Sequence, residues 1–119
     1  ARMRAPKLQK RAARVGFDWT TVAGAIAKIG EESAELKAEV EGGGDPARIE
    51  AEIGDLLFSL VNLSRWHGAD AEAALRGANR RFDQRFRHIE KSLAAEGRQT
   101  ADASLEELES LWRAAKRAE

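Results

Sequence analysis

The middle of the sequence is divided by three consecutive glycines, Gly42–Gly44, which are followed by Asp45 and Pro46. Glycine ends helices readily, whereas Asp is favoured as an N-cap and Pro at the first position of a helix. On both sides of this break, over residues 20–41 and 46–67, apolar side chains recur at helical spacing. We therefore predict two helices joined by a tight turn, which is a helical hairpin.

The second helix of this hairpin is unusually apolar. Its middle, DLLFSLVNLSRW over residues 55–66, carries apolar side chains on nearly every side. Such a helix is typical of the centre of a bundle, and one hairpin with two further helices cannot cover it fully. The scarcity of Pro and of β-branched runs argues against a sheet. The predicted fold class is all-α, with the hairpin as the core of a four-helix bundle that homodimerisation completes.

Three further helices are predicted around the hairpin. A short basic helix extends to Val15, an Arg-rich helix covers residues 71–97, and a last helix opens with a capping box formed by Ser104 and Glu107. With 43% hydrophobic residues, a chain of 119 residues can bury a modest core. Residues 1–119 are therefore expected to form a single domain.

Composition excludes several classes of function. The sequence has no Cys, so thiolate metal sites and thiol nucleophiles are excluded, and a reducing cytoplasm is the expected location. No apolar stretch approaches the roughly 18 residues that a membrane span needs, so no membrane partner is expected. The formal net charge is zero, with 20 basic and 20 acidic side chains, so no nucleic-acid partner is expected either.

Two pairs of carboxylates lie on the hairpin. Glu32 and Glu35 are three residues apart, as are Glu52 and Asp55, so each pair projects from one side of its helix. Glu35 lies six residues before Glu41, where the first helix is predicted to end, and Glu52 lies six residues after Pro46, where the second is predicted to begin. At about 1.5 Å rise per residue, both are roughly 9 Å from the turn. An antiparallel hairpin therefore brings the four carboxylates to one level.

Four clustered negative charges repel one another unless protons or a cation neutralise them. Mg²⁺ prefers hard oxygen ligands and is commonly held by a few carboxylates together with substrate phosphates, and Mn²⁺ is a possible substitute. Zn²⁺ is disfavoured because there is no Cys, and His67 and His88 lie far along the chain. Glu residues three apart are also common on solvated helix surfaces, so spacing alone leaves a metal site and a solvated face both open.

Taken together, these segments resemble the MazG family of nucleoside triphosphate pyrophosphohydrolases, and specifically the C-terminal catalytic domain of its members. The central signature is EExxE, a spacer and ExxD, represented here by Glu31, Glu32, Glu35, Glu52 and Asp55. The resemblance covers most of the chain, through RAARVGFDW at 11–19, KIGEESAEL at 28–36, EIGDLLFSLVNLSRW at 52–66, ANRRFDQRF at 78–86 and SLEELESLW at 104–112.

The resemblance implies a reaction and a site. Family members convert a nucleoside triphosphate and water to a nucleoside monophosphate and pyrophosphate, with water attacking the α-phosphorus and Mg²⁺ assisting. The four carboxylates Glu32, Glu35, Glu52 and Asp55 would then be the catalytic Mg²⁺ ligands. Family phosphate contacts fall on Asn79, Arg81 and Arg85. Guanidinium groups bind phosphate bidentately, although a solvated or dimer-facing surface is the alternative for each arginine.

Several alternatives stay open. A dUTP or phosphoribosyl-ATP pyrophosphohydrolase of the same superfamily would carry similar carboxylates, and a non-catalytic helical interaction module would keep the acidic hairpin only for contacts. Trp19 and Phe17 either stack on a substrate base or, as we favour, plug the helix ends. The family resembles a duplication, whereas this sequence has one copy of the motif, so a domain of a longer protein and a short relative both remain open.

Overall fold

The computed structural model describes residues 4–119 and contains only helices there, so the all-α prediction is confirmed for this range. The beginning of the predicted first helix, before residue 4, lies outside the described residues. The α-helices are α1 (Ala5–Arg14), α2 (Val22–Glu41), α3 (Pro46–Trp66), α4 (Ala71–Ala94) and α5 (Leu105–Arg117), and a 3-10 helix covers Thr100–Asp102.

The helical hairpin is formed by α2 and α3, which pack along each other. Asp45 caps α3, because its Oδ1 accepts hydrogen bonds from the backbone N–H groups of Ala47 at 2.8 Å and Arg48 at 3.2 Å. In the turn, Gly43 has a φ of +70°, which L side chains rarely adopt. The predicted turn is therefore confirmed, and α2 starts slightly later than predicted because Thr21 is its N-cap.

The described residues divide into two compact units, one ending at Ala74 and the other beginning at Leu75. In the first unit, α1 packs against α3. Buried Gln9 donates from Nε2 to the carbonyl oxygen of Phe58 at 2.8 Å. Near the end of α3, Arg65 Nη2 donates to Asp18 Oδ1 at 2.6 Å and to Asn62 Oδ1 at 2.9 Å. These contacts tie α1 and the segment that follows it to α3.

The second unit is organised around aromatic and ionic contacts. The ring centroids of Phe82 and Trp112 lie 5.3 Å apart, which joins α4 to α5. Ser104 caps α5 through its Oγ, which accepts from the Glu107 N–H at 3.1 Å. The Glu107 carboxylate accepts from Arg98 Nη1 at 2.8 Å, and its pKa is lowered first by this contact and then by a hydrogen bond from the backbone of Ser104, the return contact that the predicted capping box requires.

Large apolar side chains of α3 stay accessible in the single chain. Ile53 is 43% exposed, Leu57 57% and Leu60 43%, although all three lie on the helix predicted to occupy the centre of a bundle. Buried apolar residues are few and mostly small or medium in size, and Ala25 and Val61 are the ones on the hairpin. The four-helix bundle and the homodimer therefore remain predictions.

Among residues 4–119, no helix combines the length and the apolar character that crossing a membrane requires.

The Asp45 cap generates a stability prediction. Replacing Asp45 by Ala leaves two N–H groups of the first turn of α3 without acceptors, so we expect the free energy of unfolding to fall by about 1 kcal/mol. The measurement is urea unfolding followed by circular dichroism. Asp45→Asn keeps the acceptor and is the matched control, for which we expect only a small loss. Equal losses for the two variants would contradict the capping role.

Candidate functional site

The hairpin brings carboxylates from both of its helices together. Glu32 of α2 and the pair Glu52 and Asp55 of α3 each offer one oxygen, and these three oxygens lie within 4.8 Å of one another. Glu32 is buried, Glu52 is half-buried and Asp55 is exposed, so the cluster extends from the helix interface to the surface.

Glu35, the fourth predicted carboxylate, lies outside this set of three but interacts with it. The pKa of its carboxyl is raised above the ordinary value, first by the negative charge of Glu32, then by burial and by the charge of Glu52. Negative charges this close disfavour a further ionised carboxylate. Glu31, the remaining acidic residue of the motif, is exposed and lies 3.8 Å from Lys28 Nζ.

Two oxygens of the cluster are buried without a hydrogen-bond donor. Glu32 Oε1 pairs with Lys28 Nζ at 3.0 Å, and this hydrogen bond is the main reason that the pKa of Lys28 is raised. Glu32 Oε2 and Glu52 Oε2, in contrast, have no partner within the described part of the chain. A buried anionic oxygen is costly unless a proton or a cation compensates it. Lys28 alone therefore leaves the cluster incompletely neutralised.

Polar residues on the next turns of α3 are buried and have partners. Ser59 and Asn62 are each 8% exposed. Ser59 Oγ donates to the backbone oxygen of Asp55 at 3.0 Å, and Asn62 Oδ1 accepts from Arg65. Arg65 in turn hydrogen-bonds to Asp18, and this contact is the main reason that the pKa of Asp18 is lowered. These bonds hold the α3 side chains beyond Asp55 in defined positions.

A cavity of about 370 Å³ lies in the first compact unit. Its walls come from α1, from the segment between α1 and α2, from Lys28 of α2, and from α3, and most of its lining is apolar. Lys28 lines this cavity and is also the residue that pairs with Glu32. The cavity and the acidic cluster are therefore neighbouring parts of one region.

Two aromatic residues line the cavity, and Trp19 also lies against Gly24 in the first turn of α2. Phe17 is 82% exposed and Trp19 is 43% exposed, and both face the cavity. The interpretation of Phe17 as an apolar plug is therefore wrong, because almost all of its surface stays in contact with solvent. Base stacking by Trp19 stays a prediction.

The predicted phosphate contacts lie on α4, in the second compact unit. Asn79 and Arg81 are exposed. Arg85 is engaged within its own unit, because its Nε and Nη2 donate to Glu119 at 2.6 and 2.9 Å and its guanidinium lies 5.2 Å from the centroid of the Trp112 ring. The role of these three residues in phosphate binding stays a prediction.

Sequence reasoning missed three contributors to this region, namely Lys28, Gln9 and Arg65. Lys28 precedes Glu32 by four residues, which places both on one face of a helix, so spacing contained that signal. Gln9 and Arg65 had no comparable signal, since their partners Phe58 and Asp18 are more than 45 residues away in sequence.

Comparison with known proteins agrees with this geometry. The profile of the MazG nucleotide pyrophosphohydrolase domain matches residues 20–90, which include the hairpin and its carboxylates. The nucleoside triphosphate pyrophosphohydrolase of Escherichia coli (strain K12) is 47% identical over 120 residues, which cover 100% of this chain and 46% of that protein. The nucleoside triphosphate pyrophosphohydrolase/pyrophosphatase MazG of Thermotoga maritima is 43% identical over 112 residues, 94% of this chain and 42% of that protein.

A further match is shorter. The uncharacterized protein YabN of Bacillus subtilis is 44% identical over 71 residues, which cover 60% of this chain and 14% of that protein. The chain spans less than half the length of each of these relatives. Because the domain profile covers more than half of the chain and includes both carboxylate pairs, the chain belongs to the MazG nucleotide pyrophosphohydrolase domain family.

Proposed function

We propose that this chain is a Mg²⁺-dependent hydrolase that converts a nucleoside triphosphate and water to a nucleoside monophosphate and pyrophosphate. The observation that carries the proposal is the meeting of Glu32, Glu52 and Asp55 across the hairpin, with two buried oxygens that lack donors. Two of its relatives are named nucleoside triphosphate pyrophosphohydrolases, which supports the same substrate class.

The residues present fit a hard divalent cation. The cluster offers only carboxylate oxygens, which Mg²⁺ prefers, and the unpaired oxygens of Glu32 and Glu52 need a positive partner. Glu32, Glu52 and Asp55 would hold the ion, with Glu35 as the fourth ligand, and Mn²⁺ is the expected substitute. When bound, Mg²⁺ supplies positive charge that neutralises the triphosphate and activates water.

The chain's own residues would bind the phosphates during the attack of water. The water oxygen forms a bond to the α-phosphorus and gives a proton to a carboxylate oxygen of the cluster that does not contact the ion, the bond from that phosphorus to the bridging oxygen breaks, and pyrophosphate leaves. Exposed Arg81 and Asn79 are available to bind the phosphates. Arg85 already holds the Glu119 carboxylate bidentately, and a phosphate would replace this carboxylate with the same geometry.

A second copy of the chain is the expected partner. Ile53, Leu57 and Leu60 follow one another at spacings of four and three residues, so they share one face of α3, and all three are exposed. Soluble proteins rarely leave such an apolar face in water, and covering it stabilises an assembly by about 25 cal/mol per Å² of apolar area. A homodimer in which hairpins pair into a four-helix bundle is therefore part of the proposal.

Product analysis tests the reaction. We expect the purified protein with Mg²⁺ to release pyrophosphate and a nucleoside monophosphate from members of a panel of ribo- and deoxynucleoside triphosphates that includes dUTP. In water labelled with ¹⁸O, mass spectrometry should find the label in the monophosphate, because water attacks the α-phosphorus. A nucleoside diphosphate with phosphate, or label only in pyrophosphate, would refute the proposal. Turnover of dUTP alone would favour the dUTP alternative.

Replacing Glu52 by Gln tests the carboxylates. We expect turnover to fall by at least about 100-fold, because the variant loses an anionic ligand while the shape of the side chain is kept. We also expect Mg²⁺ to raise the thermal unfolding midpoint of the wild-type protein and to have little effect on Glu52→Gln. The matched control is Glu50→Gln, an exposed residue of the same helix, which should behave as the wild type. Full activity of Glu52→Gln would show that the ligand assignment is wrong.

Light scattering after size-exclusion chromatography tests the dimer. We expect a mass near twice the 13.1 kDa of the chain, and a shift toward the monomer for Leu57→Lys, because a charge on the apolar face opposes its burial. The matched control is Leu105→Lys, since Leu105 is 71% exposed on α5. A monomeric wild-type protein, or equal effects of both substitutions, would contradict the use of this face.

A further inference from the structure

A lysine ammonium lies on the buried carboxylate of the acidic cluster. Lys28 Nζ is 3.0 Å from Glu32 Oε1, and the two residues are four positions apart on α2. The side chain of Glu32 is 8% exposed, whereas that of Lys28 is 32% exposed. A buried carboxylate needs a positive partner, and lysine is cationic at neutral pH. Lys28 is therefore the counter-ion that the folded chain itself provides for Glu32.

The same carboxylate belongs to the set that could hold a metal ion. Glu32, Glu52 and Asp55 each offer one oxygen, and these oxygens lie within 4.8 Å of one another. An ammonium in contact with Glu32 repels a divalent cation held by these oxygens, because like charges repel strongly at short range. Lys28 and a divalent cation are therefore alternative partners of Glu32.

Lys28 has both space and a second carboxylate when it leaves Glu32. Its side chain lines the cavity of about 370 Å³, so the ammonium has room to move. Glu31 Oε1 lies 3.8 Å from the same Nζ, and Glu31 is exposed and is not one of the three clustered residues. The lysine stem is flexible, so rotation about its bonds can carry the ammonium from Glu32 toward Glu31. This contact gives Glu31 a role outside metal binding.

A second lysine of α2 shows how an ordinary surface pair differs. Lys37 Nζ lies 3.9 Å from Glu41 Oε1, and the two side chains are 74% and 67% exposed. Exposed pairs of this kind contribute little to stability, because water screens them. The spacing of four residues is the same in both pairs, so the burial of Glu32 is what distinguishes the pair that Lys28 forms.

We propose that Lys28 is the resident counter-ion of the acidic cluster in the metal-free chain, and that a divalent cation displaces its ammonium from Glu32 on binding. Lys28 then stabilises the pairing of α2 with α3 when no metal is present, and it makes metal binding weaker than the carboxylates alone would allow. Exchange of one cation for the other keeps Glu32 compensated in both states. The assignment rests on the proposed function, because it takes Glu32 as a ligand of the ion.

The first test measures metal affinity without nucleotide, by titration calorimetry with Mn²⁺. Lys28→Met removes the charge and keeps an unbranched side chain of similar length. We expect its Kd for Mn²⁺ to be about 10-fold lower than that of the wild type, because the competing positive charge is gone. Lys28→Arg keeps the charge and should bind Mn²⁺ no more tightly than the wild type. Unchanged or weaker binding by Lys28→Met would overturn the proposal.

The second test measures thermal unfolding by circular dichroism, with and without Mg²⁺. Without metal, we expect Lys28→Met to unfold at a lower midpoint than the wild type, because Glu32 loses its partner. Saturating Mg²⁺ should raise the midpoint of this variant more than that of the wild type. If Lys28→Met lacks helix without metal, recovery of the helix signal on addition of Mg²⁺ gives the same support. Equal midpoints of the two metal-free proteins would contradict the counter-ion role.

The matched control for both tests is Lys37→Met. It removes the same charge from the same helix, at a pair that is exposed. We expect this variant to keep the Mn²⁺ affinity and the unfolding midpoints of the wild type. An equal gain in Mn²⁺ affinity for Lys37→Met and Lys28→Met would show that only the net charge matters, and would overturn the assignment to Lys28.

The metal titration also separates this proposal from the proposed function. Tighter Mn²⁺ binding by Lys28→Met in a protein that hydrolyses no triphosphate supports the counter-ion, and then only the hydrolase proposal fails. Hydrolysis to pyrophosphate by the wild type, combined with an unchanged Mn²⁺ affinity in Lys28→Met, overturns the counter-ion and leaves the hydrolase proposal intact. Hydrolysis without Mn²⁺ binding to either nucleotide-free protein overturns the counter-ion in the same way.

Discussion

The antiparallel pairing of α2 and α3 is the constraint on which the candidate site depends. It holds Glu32 against Glu52 and Asp55, with an oxygen from each within 4.8 Å of the others. Mutual repulsion of these carboxylates opposes the pairing, and Lys28 offsets only part of it through Glu32 Oε1. The hairpin must therefore be held together elsewhere, by its caps, its turn and its apolar contacts. A cation that binds the carboxylates would stabilise the same pairing instead of opposing it.

Helices α2 and α3 also contribute residues to the cavity. Residues of α3 contribute carboxylates at one level and the buried groups Ser59 and Asn62 one and two turns further along. The Asp18 and Arg65 pair secures the segment after α1 against α3, and Trp19 lies in this segment. Ser59 lines the cavity and lies one turn of α3 beyond Asp55, so the cavity begins about one helical turn from the acidic cluster.

The exposed apolar face of α3 shows how far the single chain is from a complete core. Buried residues of the hairpin such as Ala25 and Val61 are small, whereas Leu57 is 57% exposed. Helix caps and turns determine where helices begin and end, but they do not determine what covers an apolar face. Sequence reasoning placed the hairpin correctly, and three of the four carboxylates that it expected at one level meet in the structure. It was wrong about Phe17, because exposure depends on how the segment between α1 and α2 lies against its neighbours.

The sequence by itself determined the features that arise from neighbouring residues. Gly42–Gly44, Asp45 and Pro46 defined the turn, and the three-residue spacing of each carboxylate pair placed that pair on one side of its helix. Only the tertiary structure decided which oxygens meet, that Lys28 lines a cavity as well as pairing with Glu32, and that Gln9 hydrogen-bonds to the backbone of Phe58. The physical reason is the separation along the sequence over which each interaction acts. Caps and helical periodicity act over a few residues, whereas Gln9 and Phe58 are 49 positions apart and meet only because whole helices pack together.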